Sequence, residues 1–126
     1  MKTIERVNRF NGNVEVYRVE EKAPKGNYVI WNIGKNAPEG YVPFCRILPG
    51  PYEWSRNVDP DSLVAVPSEG AAVVMEAVGY GPGTSKEMRK FVEEGEKHRP
   101  SNTGKYAKWI LNRMRKAIPF LEEMGY

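Results

Sequence analysis

Between Lys97 and Lys116 the chain carries seven Lys or Arg side chains and no Asp or Glu. Cations at that density suit a phosphate, which Arg grips bidentately and Lys meets as a point charge. Arg99 stands just before Ser101, Asn102 and Thr103, whose hydroxyl and amide groups either cap a helix or contact a phosphate. A helix opening after Gly104 would offer free amides and a positive dipole end, an anion site in itself. Lys105, Lys108, Asn112, Arg115 and Lys116 then share one helical face, opposite Tyr106, Ile110 and Met114. Arg113 borders the inner side next to Trp109, where its guanidinium is partly sheltered. A plain solvated helix gives the same stripe. Such helices ordinarily mix signs, however, because Glu–Lys pairs four residues apart are favourable. Three readings stay open here: a phosphate-bearing ligand, a solvated face, and an acidic protein partner.

Other residues offer weaker chemistry. Arg56 lies in Tyr52-Glu53-Trp54-Ser55-Arg56-Asn57, where aromatic rings and a guanidinium together can sandwich a base. Gly79-Tyr80-Gly81-Pro82-Gly83 lacks the Gly-Lys-Ser/Thr ending of a phosphate loop. It reads as a helix–helix connector, or as a loop approaching a ligand with Tyr80 as a stacking platform. Phe91 is a further candidate ring for a base. Acid–base and nucleophilic catalysis find little support. His98 is the single histidine, and Glu93, Glu94 and Glu96 form a charge cluster instead of a pair with separated pKa values. The sequence therefore predicts a binding protein with no catalytic residues, no metal and no cofactor.

Composition frames these residues. The 126 residues, 40% hydrophobic and 28% charged, fit one globular domain. Net charge is +3, but unevenly spread. Residues 1–96 hold twelve basic and fourteen acidic side chains, and residues 97–126 hold seven and two. Neither a membrane span nor a signal-peptide pattern is present in the sequence, so a cytoplasmic location without membrane partners is expected. Cys45, the one cysteine, sits among Phe44, Ile47 and Leu48 and reads as a buried core thiol.

The elements that must position the candidate residues divide at about residue 67. The first half reads as strands: a hairpin with arms Thr3–Phe10 and Val14–Glu20 around a tight Asn11-Gly12 turn, then Asn27–Ile33, Tyr41–Leu48 and Leu63–Val66. Pro43 cannot donate a ladder hydrogen bond, which predicts an edge or a bulge in the fourth strand. Tyr52–Ser62 reads as a connection. In the second half Ser68 is placed to cap a helix over Ala71–Val78, though a strand at 71–75 is also compatible. Thr84-Ser85-Lys86-Glu87 fits a capping box for a helix that ends at Gly95. Lys105–Ile118 reads as the last helix, broken or restarted at Pro119. The fold class is α+β: about five strands in a largely antiparallel sheet, meander or Greek-key, followed by two to three C-terminal helices.

This layout resembles the phage anti-defence proteins that sequester cyclic nucleotide signals, the Thoeris inhibitor "sponges". The resemblance covers the architecture of most of the chain. It implies a non-enzymatic homo-oligomer in the host cytoplasm that holds a nucleotide with arginines, an aromatic ring and an amide. Arg56 and Arg113 are the residues available for phosphates, Tyr80 or Phe91 for the base, and Asn102 for a polar contact. The alternative is a nucleic-acid- or protein-binding inhibitor or accessory protein of a mobile element. A nucleic acid calls for an extended stripe and a small nucleotide for a pocket. The scattered aromatics favour a pocket, shared across a dimer.

Overall fold

A computed structural model of the chain describes residues 2–31, 37–53, 56–99, 101 and 103–126. Among them are six strands, β1 (Thr3–Val7), β2 (Val14–Val19), β3 (Tyr28–Ile30), β4 (Tyr41–Pro49), β5 (Arg56–Val58) and β6 (Val64–Pro67). Three helices follow, α1 (Ala71–Val78), α2 (Ser85–Glu96) and α3 (Lys108–Met124). The fold is α+β, with the strands N-terminal and the helices C-terminal. The chain divides into two compact units, Met1–Ser68 and Glu69–Tyr126.

In the first unit the sheet order is β1-β2-β6-β4-β3, with β5 also against β4. This is not a meander, since β6 enters between β2 and β4 and runs parallel to β2. The other pairs are antiparallel. Tyr17, Cys45, Leu63 and Ala65 form a buried cluster, flanked by Ile4, Trp31 and Ile47. The Tyr17 phenol donates to Glu15 Oε1 at 3.2 Å, so its polar end is satisfied.

Four expectations for this unit change. The hairpin turn is wider than a two-residue loop. Val7 pairs with Val14, and residues 8–13 form the loop, closed by Asn8 N–H to the Asn13 carbonyl at 2.8 Å. The Asn8 side chain stabilises it further by accepting from the Phe10 amide at 2.9 Å. The third strand is short, and part of the expected Asn27–Ile33 segment lies outside the described residues. β4 is interior, with β6 on one side and β3 on the other, and its register runs unbroken past Pro43. Pro43 is tolerated because it faces the end of β3: its carbonyl accepts from Trp31 N–H at 2.8 Å, and the reciprocal donor is the one proline lacks. Finally, part of the Tyr52–Ser62 connection is a strand, β5.

The interruption between β5 and β6 is a 3-10 turn, Pro60–Ser62, capped by Asp59 accepting from the Asp61 amide at 3.1 Å. Buried Ser62 repairs the ladder there. Its Oγ accepts from the Arg46 amide at 2.8 Å and donates to the Asp59 carbonyl at 2.7 Å. Arg46 Nη2 holds Asp59 Oδ2 at 3.2 Å.

In the second unit α3 packs against both α1 and α2. Residues 71–78 form a helix, not a strand. Its N-cap is Gly70, without a side-chain cap, so Ser68 does not have the expected role. A Cβ on Gly70 would lie 2.2 Å from Phe120 Cγ, so the close approach of α1's start to α3 requires glycine. Thr84 caps α2 as predicted, its Oγ1 accepting from the Glu87 amide at 3.3 Å. Gly95 lies inside α2 instead of ending it.

α3 begins three residues later than expected and runs through Pro119 to Met124. Pro119 is exposed, so the carbonyl of Arg115 that loses its intrahelical donor is on the solvent side. Ile110, Met114, Ala117 and Leu121 turn the apolar face inward.

Candidate ligand site on the helical unit

The basic stripe of α3 does not stand alone on a flat surface. α2 ends at Glu96, and His98 just beyond it meets Tyr106, which lies just before α3. Their rings stack with centroids 4.5 Å apart and planes 17° from parallel. Phe91 tilts against the same Tyr106 at 4.9 Å, and Lys105 Nζ lies 5.0 Å from its centroid. Tyr106 also donates to Glu94 Oε2 at 3.3 Å. The absence of a side chain on Gly95 lets Leu111 of α3 come close, since an added Cβ would lie 2.8 Å from it.

These elements enclose a groove of about 310 Å³, lined by Gly95, Glu96, His98, Tyr106, Lys108, Leu111, Asn112 and Arg115. That volume falls at the small end of ligand pockets. Arg115 is fixed by two acceptors, Glu96 Oε1 at 3.0 Å and Asn112 Oδ1 at 2.8 Å. Lys108 forms no ion pair among the described residues.

A second cluster lies where the end of α1 meets the other side of α3. Tyr80 and Trp109 are 46% and 42% exposed and meet edge to face at 4.9 Å. The Arg113 guanidinium lies over both, 5.0 Å from the Trp109 ring and 5.7 Å from the Tyr80 ring. Arg113 Nη1 donates to Tyr80 Oη at 3.4 Å, and Nε lies 3.8 Å from Glu76 Oε2.

The candidate residues therefore separate. Tyr80 and Arg113 come together, and Arg113 borders Trp109 as its spacing implied. Phe91 belongs to the His98–Tyr106 stack, half-buried behind Tyr106 instead of open as a base platform. Lys108 lines the groove. Arg99 is exposed beyond the end of α2. Arg56 lies on β5 in the first unit. Asn102 and Trp54 lie outside the described residues.

The expected anion site at the helix start changes most. Because α3 begins at Lys108, Ser101 and Thr103 precede it by a turn or more. The Ser101 carbonyl accepts from the Lys108 amide at 3.0 Å, and its hydroxyl accepts from the Thr103 amide at 3.1 Å. These two donors are thus satisfied within the protein, and the Lys108 amide is among the first of α3.

Sequence reasoning missed His98, Tyr106, Glu96 and Glu76 as site residues. The sequence places Tyr106 on the inner face of the last helix, and His98 enters it only as the single histidine. No local spacing pairs either with its neighbours, since the loop folds them together. The charge picture shifts too. Residues 69–126 carry ten basic and eight acidic side chains, a balance of +2. Acids absent from the basic stretch arrive from other helices, Glu96 to Arg115 and Glu76 to Arg113, while Glu122 of α3 itself pairs with Arg89 of α2. Among the described residues Lys105, Lys108 and Lys116 take part in no ion pair.

Among the described residues no group of three or more His, Cys, Asp or Glu side chains converges as a metal site. No helix among them is long and apolar enough to cross a membrane. No protein-family model, curated protein or solved structure matches the chain.

Proposed function

We propose that this protein is a non-catalytic binding module that captures a nucleotide in the groove between α2 and α3. The observation that carries this reading is the stacked His98–Tyr106 pair facing the same groove as Lys108 and Arg115. An aromatic base extends an existing ring stack, and base–aromatic stacking contributes about 1–3 kcal/mol per base. The phosphate meets Lys108 as the open cation. Arg115, already held in place by Glu96 and Asn112, supplies a preset second charge at the cost of competing with Glu96. Sequestration of a nucleotide signal in the host cytoplasm, by a homo-oligomer, is the form of binding that the likeness to the anti-defence sponges implies.

Thermal melting with a panel of linear and cyclic nucleotides tests this. A bound nucleotide at one hundred times its Kd should add about 2.7 kcal/mol of stability. Lys108→Ala and His98→Ala should each weaken that ligand by about tenfold without lowering the melting temperature of the free protein. A panel in which no nucleotide raises the melting temperature would sink the reading.

A further inference from the structure

The groove and the Tyr80–Trp109 pair lie on opposite sides of the same exposed helix face. At 3.6 residues per turn, Lys108 and Arg115 fall at one edge of the exposed arc of α3, and Trp109 and Arg113 at the other. Lys116 lies between them, exposed and without an ion pair among the described residues. The face carries cations and no carboxylate of its own before Glu122. Two aromatic platforms thus flank a basic strip about 10 Å wide, one helix diameter. A mononucleotide has one base and reaches one platform. A chain of several nucleotides can stack a base at each while its phosphates pass Lys108 at one edge and Lys116 between.

We infer that the exposed face of α3 is a binding surface for single-stranded nucleic acid, with His98–Tyr106 and Tyr80–Trp109 as its two stacking platforms. The inference rests on the nucleotide reading of the groove and extends it to a longer ligand. Charge complementarity selects this occupant: the strip is cationic, the rings of His98, Tyr80 and Trp109 are partly exposed beside it, and the ligand that alternates bases with phosphates fits both. At the second platform the Glu76 carboxylate lies 3.8 Å from Arg113 and is exposed. It is held loosely enough for a phosphate to replace it.

Fluorescence anisotropy with labelled oligothymidylates of two and eight residues, the matching oligouridylates, and a labelled mononucleotide tests this. The eight-residue strands should bind at least tenfold more tightly than the two-residue ones. Their affinity should fall with salt at a log–log slope of about −2, as for three phosphate contacts to a single strand. Tyr80→Ala and Trp109→Ala should each weaken the eight-residue strand by about tenfold and leave the mononucleotide unchanged. Lys116→Glu, which disturbs no packing, should weaken it too, and Glu76→Gln should tighten it severalfold. DNA and RNA arms of equal affinity mean recognition through phosphate and base alone; a gap means the sugar is read, and both support the surface. Mononucleotide binding with no gain in length, or strand affinity untouched by Tyr80→Ala, Trp109→Ala and Lys116→Glu, overturns this inference and leaves the groove reading intact. Failure of every nucleotide and strand to bind overturns both.

Discussion

Cys45 is fully buried in the sheet cluster, as its apolar neighbours in the sequence implied. Burial, helped by the negative charges of Glu15 and Asp59, pushes its thiol up from 9.0 to about 12. The thiolate is the reactive form, so the native protein should resist alkylation at pH 8 and react only on unfolding. Labelling with iodoacetamide in native buffer and in urea measures this. The shift also sets a pH dependence. Below about pH 9 the thiol is protonated in both states and its contribution to stability is complete. Between about 9 and 12 the unfolded chain releases its proton first, so stability falls as pH rises through that window. Urea midpoints at pH 8 and pH 10.5 should differ more for the native sequence than for Cys45→Ala. Equal differences would mean that other groups carry the whole effect.

β4 shows how an element depends on what its neighbours lack. The Arg46 amide has no strand partner where the 3-10 turn interrupts β5 and β6, and the Ser62 hydroxyl takes that place. Ser62→Ala leaves a donor unsatisfied inside the sheet and should cost about 1–3 kcal/mol in urea denaturation. Ser62→Thr, which keeps the hydroxyl, should recover part of it if the added methyl is accommodated. A loss well under 1 kcal/mol would show that water replaces the hydroxyl. The same element explains where sequence reading works and where it stops. Period-two and helical patterns located most of the strands and the last two helices, because those patterns record which faces are buried, while the apolar run at 71–78 is compatible with helix or strand. β5 escaped because three residues carry no period. Pro43 predicts an edge or a bulge and Pro119 a break or restart, since a missing N–H is a local fact. Whether that loss matters depends on where the amide would point, and both point to places where no ladder or helix donor is needed.

Charge behaves differently along the chain and in the folded unit. The acid-free stretch from Lys97 to Lys116 was legible at once, as was the adjacency of Trp109 and Arg113 four residues apart. Its partial neutralisation was not, because Glu76 and Glu96 reach Arg113 and Arg115 across helix–helix contacts that no spacing reveals. All of these pairs are exposed, and exposed pairs contribute little. Raising salt from 0.05 to 0.5 M should therefore change stability by no more than about 1 kcal/mol, a few degrees in melting temperature. A larger fall would mean that the ion pairs hold the helices together. The helices are instead held by their apolar faces, and at one point by contact so close that side-chain identity is dictated. The flat face of Phe120 occupies the space where any other residue at position 70 would place its first carbon. The two positions are therefore not independent letters. The dependence runs one way: a side chain at 70 needs a smaller or displaced residue at 120, whereas 120 can shrink while glycine stays, so the order in which the two positions can change is fixed.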